Sequence, residues 1–107
     1  RRNSRPVIGL ILYSLVFNES EVVSFSDLAP LFRITTLVWL DVSSNRIHGE
    51  IIGNWFSNLT RLVHLDMWQN NITGSIPSQI YRLKYLQYLD LSSNSLTGVL
   101  MWALFET

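Results

Sequence analysis

The sequence contains no cysteine, and this absence limits the chemistry available to its 107 residues. Disulfide frameworks, cysteine-based zinc sites and thiol catalysis all require the side chain that is missing. Only 15% of the residues are charged whereas 48% are hydrophobic, so the composition also differs from that of a disordered polar segment. A chain of this length and composition is expected to form a packed structure of one domain or less.

The sequence also lacks a surplus of either charge, because its eight Lys and Arg residues balance eight Asp and Glu residues. Without a basic field the chain cannot release counterions from a phosphate backbone, so nucleic acid is excluded as the expected partner. Long hydrophobic runs are missing as well. The longest mostly apolar stretch, residues 7–17, is interrupted by Ser14 and has about half of the roughly 20 residues that a membrane-spanning helix requires. No membrane-spanning segment is therefore predicted in this chain.

The sequence does contain an internal repeat, organised around three asparagines. Asn45, Asn70 and Asn94 are separated by 25 and then 24 residues. In each copy one leucine lies eight positions before the asparagine and another lies five before it, an aspartate lies four before it, and a glycine lies four after it. The matching sets are Leu37, Leu62 and Leu86; Leu40, Leu65 and Leu89; Asp41, Asp66 and Asp90; and Gly49, Gly74 and Gly98. Self-similarity at a period of this size indicates a stack of repeated structural units.

Each copy predicts a short strand and a second buried segment. Leu40 and Val42 alternate with polar neighbours, which is the pattern of a strand with one buried face, and the later copies repeat it. Stacked copies would pair these strands in a parallel sheet over a continuous core. The second segment has an apolar residue at every third position: Leu31, Ile34 and Leu37; Phe56, Leu59 and Leu62; and Ile80, Leu83 and Leu86.

These residues resemble the plant-type leucine-rich repeat, whose pattern is LxxLxLxxNxLxGxIPxxLxxLxx. Residues 62–86 match it most fully and include its proline, Pro77, whereas Ile52 and Met101 stand where the family has proline. The resemblance covers residues 28–107, which would hold about three repeats with the last one truncated. It implies an α/β repeat solenoid: a right-handed superhelix with a parallel β-sheet on its concave face and short 3₁₀ or irregular segments on its convex side.

Residues 1–27 fit the repeat loosely and leave two interpretations open. One is a divergent first copy, in which Tyr13 takes the position of Leu40 and the other matching residues are Leu10, Leu15 and Asn18. The other is a leader-like segment, since three arginines precede an apolar run, although a starting Met and a small-residue cleavage site are missing. Neither end carries a polar cap, so we expect the chain to be a piece of a longer array.

The repeated asparagines and glycines are predicted to be structural. Where the chain turns inward after each strand, the side chains of Asn45, Asn70 and Asn94 can donate to and accept from backbone groups that would otherwise be unpaired. Replacing Asn70 with alanine is expected to cost about 1–3 kcal/mol, the penalty for an unsatisfied buried backbone group. The repeated glycines are expected to have positive φ or to approach the next coil closely.

Candidate functional residues occupy the strand positions that alternate with the buried leucines. These positions face the open, concave side of the predicted sheet, where neighbouring strands are about 4.8 Å apart. One column consists of rings, a second consists of aspartates, and Trp68 lies in a third with Ser43. We predict a ligand-binding surface formed by Trp39, Asp41, His64, Asp66, Trp68, Tyr88 and Asp90. An alternative left open is that the rings pack on one another and have no further role.

Other site chemistries have less support in the sequence. Ser43, His64 and Asp66 could be described as a hydrolytic set, but no nucleophile turn or glycine-rich oxyanion hole accompanies them, so the chain is not expected to be an enzyme. His64 and Asp66 would supply only two ligands to a metal, and neither a metal nor another cofactor is predicted. Three acceptor sequons predict N-linked glycans at Asn18, Asn58 and Asn71.

The resemblance implies recognition of a protein or peptide without catalysis. The expected context is the extracellular part of a plant receptor-like protein or receptor kinase that senses ligands in defence or development. Its partners would be a protein or peptide ligand and, in some receptors, a co-receptor, and the parent protein would lie at the plasma membrane. A secreted inhibitor of cell-wall-degrading enzymes, similar to polygalacturonase inhibitors, is the alternative and would use the same concave face.

Overall fold

A computed structural model of the chain, which describes residues 9–11 and 23–98, has two parallel four-stranded sheets. The first sheet contains strands β1 (Gly9–Ile11), β3 (Trp39–Asp41), β5 (His64–Asp66) and β7 (Tyr88–Asp90). The second contains β2 (Val23–Ser24), β4 (Ile47–Glu50), β6 (Asn71–Ser75) and β8 (Ser95–Thr97). A 3₁₀ helix (Phe25–Arg33) and two short helices, α1 (Gly53–Phe56) and α2 (Ser78–Tyr81), lead from the second sheet back to the first. The predicted repeat solenoid with a parallel sheet is confirmed.

The register of the first sheet places equivalent positions of the repeats side by side. Leu40 lies opposite Leu65, which lies opposite Leu89, and the ring and aspartate columns align in the same way. In β1, however, Leu10 lies opposite Leu40. The alignment that put Tyr13 in this position is therefore wrong. The prediction fails because the loosely matching copy has two apolar frames, and the earlier frame pairs with β3. Tyr13, Leu15 and Asn18 themselves lie outside the described residues.

The second sheet was not predicted from the sequence. Strands β4, β6 and β8 follow turns in which a non-glycine residue adopts positive φ: 57° at Ser44, 55° at Gln69 and 57° at Ser93. The expectation of positive φ at the repeated glycines is confirmed, since Gly49, Gly74 and Gly98 have φ values of 91°, 80° and 92°. The four strands of this sheet have only two to five residues each, which is too short for the sequence pattern to separate them from a turn.

The core lies between the two sheets and the helices. Each repeat contributes leucines from its first strand and from the every-third-residue segment, and Leu37, Leu62 and Leu65 are fully buried. The first described coil differs, because Leu31 and Ile34 are only half-buried and phenylalanines replace them at its centre. Phe25, Phe32 and Phe56 contact one another with ring centroids 4.9 to 6.3 Å apart. Each such fully buried side chain stabilises the stack by about 1.5–3 kcal/mol.

The departure from the family pattern at Ile52 does not prevent the local turn. Ile52 precedes α1 with a φ of −90°, and Pro77 precedes α2 with a φ of −70°. Both values lie in the extended region that any residue can adopt. The second departure, at Met101, lies outside the described residues.

The asparagine side chains form the predicted ladder between coils. Asn70 is buried, and its Oδ1 accepts hydrogen bonds from the backbone N–H groups of Asn45 (2.9 Å) and Ile47 (3.0 Å) in the preceding coil. Its Nδ2 donates to the carbonyl oxygens of Val42, Met67 and Trp68. One side chain therefore joins two successive turns, as the sequence predicted.

Candidate ligand-binding face

Three rings form a continuous stack across the first sheet. The ring centroids of Trp39 and His64 are 3.6 Å apart with an interplanar angle of 6°, and those of His64 and Tyr88 are 4.1 Å apart with an angle of 2°. The rings do pack on one another, as the alternative interpretation held. They also remain accessible, because Trp39 is 44% and Tyr88 43% exposed. The stack is thus an ordered apolar surface that still faces solvent.

A row of carboxylates lies two residues further along the same strands. Oδ1 of Asp41, Asp66 and Asp90 each accepts a 2.9 Å hydrogen bond from the backbone N–H two residues later in the chain. The aspartates therefore hold the turn that ends each strand, which gives them a structural role. Among the described residues, no hydrogen bond reaches Oδ2 of Asp41 or Asp66, whereas the Tyr88 hydroxyl donates to Oδ2 of Asp90 at 3.4 Å. Within the described part of the chain, one oxygen of each of the first two carboxylates thus has no hydrogen-bond partner.

Ser43 is not exposed on the concave side as expected. It is only 3% exposed, and its hydroxyl donates to Oδ1 of Asp41 at 2.7 Å. The hydroxyl is covered because it packs against the carboxylate two residues earlier. The pairing itself continues past β3, since the N–H groups of Val42 and Ser44 still donate to the next coil. Trp68 occupies the equivalent position after β5 and is half-buried. Among the described residues, its ring does not join the stack of Trp39, His64 and Tyr88.

The electrostatics of the face depend mainly on the burial of its central strand. Burial lowers the pKa of His64, although the carboxylates of Asp66 and Asp41 oppose this shift. Burial also raises the pKa of Asp66, a shift that the Trp68 N–H opposes and the two neighbouring aspartates reinforce. The pKa of the Tyr88 hydroxyl is raised by burial and by the nearby carboxylates. At neutral pH the ring stack is therefore uncharged and borders an acidic row.

Strand β1 adds residues to this face that the sequence analysis did not single out. Gly9 lies opposite Trp39 and Ile11 lies opposite Asp41, so both extend the columns to a fourth strand. Ile11 is 65% exposed. Residues 7–12 form an apolar run without polar alternation, so only an alignment of Leu10 with Leu40 could have indicated these positions.

The remaining predicted positions are spread over other surfaces. Asn58 follows α1 and Asn71 begins β6; both side chains are exposed, and glycosylation at them stays a prediction. Asn18 lies outside the described residues. Within residues 9–11 and 23–98, no group of three His, Asp or Glu side chains is arranged to hold a metal ion. No helix in this part of the chain is long and apolar enough to cross a membrane.

Comparison with known proteins identifies the family. Residues 35–96 match the leucine rich repeat family model. The chain belongs to the leucine-rich repeat family. This leucine-rich repeat chain is 50% identical over 80 residues to Receptor-like protein 46 of Arabidopsis thaliana, a match that covers 75% of the chain and 10% of that protein. It spans about a tenth of the length of the curated relatives that it matches.

Solved structures agree with this assignment. The leucine-rich repeat ectodomain of the Arabidopsis thaliana membrane receptor kinase GASSHO1/SCHENGEN3, in complex with Casparian strip integrity factor 2, is 35% identical with a TM-score of 0.74 and covers 88% of this chain and 10% of that chain. The plant peptide hormone receptor RGFR1, in complex with RGF2, is 41% identical with a TM-score of 0.60. The match covers 64% of this chain and 11% of the receptor chain. The leucine-rich repeat chain is thus similar to plant cell-surface receptor ectodomains.

Proposed function

We propose that this chain is a recognition segment of a plant cell-surface receptor that binds a protein or peptide ligand on its concave face and catalyses no reaction. The observation that carries the proposal is the stack of Trp39, His64 and Tyr88. Aromatic rings supply a large contact area and are enriched among the residues that dominate binding energy. Rings already held in parallel lose little further conformational freedom when a ligand binds.

The acidic row beside the stack supports the same proposal. The carboxylates of Asp41, Asp66 and Asp90 are each held by a 2.9 Å backbone hydrogen bond, so their positions are fixed before a ligand arrives. An apolar strip with an ordered polar border is the arrangement expected of a peptide-binding surface. The similar receptors GASSHO1/SCHENGEN3 and RGFR1 were solved with bound factors, which supports a protein or peptide ligand here. A co-receptor would be a second partner, and the parent protein would act in defence or development signalling.

The proposal is tested by selecting peptide ligands and then removing single rings. The immobilised chain is used to select binders from a random peptide library, and the dissociation constants of the synthesised peptides are measured by calorimetry. Trp39→Ala and Tyr88→Ala are expected to weaken binding by about tenfold or more, as removal of an aromatic hot spot does. Tyr85→Ala is the matched control, since Tyr85 is 55% exposed and does not belong to the ring stack.

The melting temperatures of all three variants are measured alongside. Loss of affinity in Trp39→Ala and Tyr88→Ala with little change in melting temperature supports recognition through the stack. An equal loss of affinity in Tyr85→Ala, or full affinity in both stack variants, contradicts the proposal. Loss of affinity and melting temperature together in the stack variants would assign the rings a structural role instead.

A further inference from the structure

The column of rings stops at a glycine. Gly9 is the register partner of Trp39, so its missing side chain would have been the fourth member of the stack. Among the described residues outside its own chain neighbours, only one atom lies within 4 Å of a Cβ built on Gly9, namely Cβ of Trp39 at 3.9 Å. Within residues 9–11 and 23–98, a gap about the width of one strand therefore lies beside the indole.

The indole face that borders this gap is not covered by another ring. Trp39 stacks on His64 through one face, and among the described residues no ring contacts the other. Both ring spacings, 3.6 and 4.1 Å, are shorter than the roughly 4.8 Å between strands, so the stack contracts and does not spread over Gly9. A planar group needs about 3.5–4.0 Å of separation to stack. A Cβ built on Gly9 would lie 3.9 Å from Cβ of Trp39, which is within that range.

The other two sides of the gap differ in chemistry. Ile11, two residues along β1, is 65% exposed and supplies an apolar wall. Asp41 lies opposite Ile11 and two residues beyond Trp39, so its carboxylate stands at the end of the gap. Its Oδ1 is held by Ser43, and no hydrogen bond among the described residues reaches its Oδ2. A group that fits the gap should therefore be flat, have an aliphatic part and carry a hydrogen-bond donor with positive charge.

We propose that the gap above Gly9 is a subsite for an arginine side chain of the ligand, whose guanidinium stacks on the free face of Trp39 and donates to Asp41. This inference rests on the proposed function, because it names the ligand chemistry of the same concave face. Guanidinium is planar, weakly hydrated and stacks on indole, and Trp is the ring that attracts cations most strongly. The aliphatic stem of the arginine would pack on Ile11.

Lysine and aromatic side chains fit the gap less well. An ammonium is compact and strongly hydrated, so it gains little from a flat apolar slot. An aromatic ring could stack on Trp39 but would leave Asp41 without a donor. The three carboxylates along the face, Asp41, Asp66 and Asp90, together favour a cationic ligand.

The test follows the indole signal of Trp39 by NMR in the full chain labelled with ¹⁵N-tryptophan, assigned with Trp39→Phe. The probes are N-acetyl-arginine amide, N-acetyl-lysine amide and N-acetyl-tyrosine amide at matched ionic strength. We expect a saturable shift with the arginine probe and a dissociation constant at least threefold lower than for the other two probes. Equal binding of the lysine probe, tighter binding of the tyrosine probe, or no saturable shift with the arginine probe overturns the inference.

Two pairs of variants test where the arginine probe binds. Gly9→Phe would fill the gap with a fourth ring and is expected to abolish the shift, whereas Gly9→Ala adds only a Cβ in ordinary contact and should retain it. Asp41→Asn keeps an acceptor for the Ser43 N–H but removes the charge, and should weaken binding at least threefold. Asp90→Asn makes the same change three strands from Gly9 and should alter the dissociation constant less than twofold. Equal effects within either pair contradict the assignment.

Failure of this inference can be distinguished from failure of the proposed function. Selected peptides whose binding depends on Trp39 and Tyr88, but does not change when their arginines are replaced by lysine, would retain the concave face as the ligand site and refute the arginine subsite. Selected peptides that bind equally well to Trp39→Ala would refute both.

Discussion

Replacing Asn70 with alanine removes the hydrogen bonds that join the second and third coils. Among the described residues, the side chain takes part in five hydrogen bonds: two in which Oδ1 accepts and three in which Nδ2 donates. The three carbonyl oxygens retain other donors, because Asn45 Nδ2 also bonds to Val42, Asn94 Nδ2 to Met67, and the Ser44 N–H to Trp68. The loss therefore falls on the two N–H groups of Asn45 and Ile47.

The magnitude follows from the burial of those two donors. Asn45 is 6% and Ile47 1% exposed, so water cannot replace the missing acceptor without a rearrangement of the coil. An unsatisfied buried group costs about 1–3 kcal/mol, and two of them bring the expected loss for Asn70→Ala to about 2–6 kcal/mol. This exceeds the value expected from the sequence, which assumed a single unsatisfied group.

Asn94→Ala is the matched control for this prediction. Asn94 is half-buried, and its Oδ1 accepts one hydrogen bond, from the Ile72 N–H at 3.0 Å. Its removal is expected to cost about 1–3 kcal/mol, or half as much. Free energies of unfolding are compared by urea titration, with tryptophan fluorescence and circular dichroism recorded together to check that the transition is two-state.

The two variants should differ in rank as well as in size. If the wild-type chain is stable by less than the expected loss, Asn70→Ala should be unfolded without urea while Asn94→Ala still unfolds cooperatively. A loss below about 1 kcal/mol in Asn70→Ala, or a loss no greater than that in Asn94→Ala, would refute the two-donor reasoning.

Three further predictions concern the glycine turn, the ring stack and the core. Gly74→Ala should cost about 1–3 kcal/mol because φ is 80° and the new Cβ would lie 2.7 Å from Oε1 of Glu50, whereas Gly98→Ala meets no described atom within 4 Å and should cost less. In a Glu50→Ala background the extra cost of Gly74→Ala over Gly98→Ala should shrink, because the clashing carboxylate is gone. Urea titration of both glycine variants, with and without Glu50→Ala, measures this change. His64 should titrate below pH 6.5 by NMR. Because the imidazole then binds a proton more readily in the unfolded state, the free energy of unfolding should fall as the pH drops through the window just below 6.5. A titration midpoint of His64 above 6.5 would contradict this prediction. Leu65→Ala, at a fully buried position, should cost about 2–5 kcal/mol in the same urea assay, and a loss under about 1 kcal/mol would be inconsistent with the stacked core.

The repeat made the first sheet predictable from the sequence. Matched positions such as Leu40, Leu65 and Leu89 must be buried by stacking, and this requirement determines both the parallel pairing and the register. The same logic predicted the asparagine ladder, because buried backbone groups need partners. Where the repeat is weak, around Leu10, two apolar frames fit the chain, and the predicted frame is wrong.

The candidate site was predictable where strand alternation alone determines which side chains are exposed. The ring column of Trp39, His64 and Tyr88 lies within the strands, so alternation placed it correctly. Alternation did not predict that Ser43 is buried by its hydrogen bond to Asp41, or that Trp68 is half-buried outside the ring stack. The gap at Gly9 depends on a register that the sequence did not specify.

The most direct test of concave-face recognition is to map a bound ligand. The backbone and indole signals of the ¹⁵N-labelled chain are followed by NMR during titration with a peptide selected as described above. The largest shifts are predicted at Trp39, His64 and Tyr88 and along the strands that carry them. Shifts concentrated on α1 (Gly53–Phe56) and α2 (Ser78–Tyr81), with the ring stack unperturbed, would contradict the proposed function.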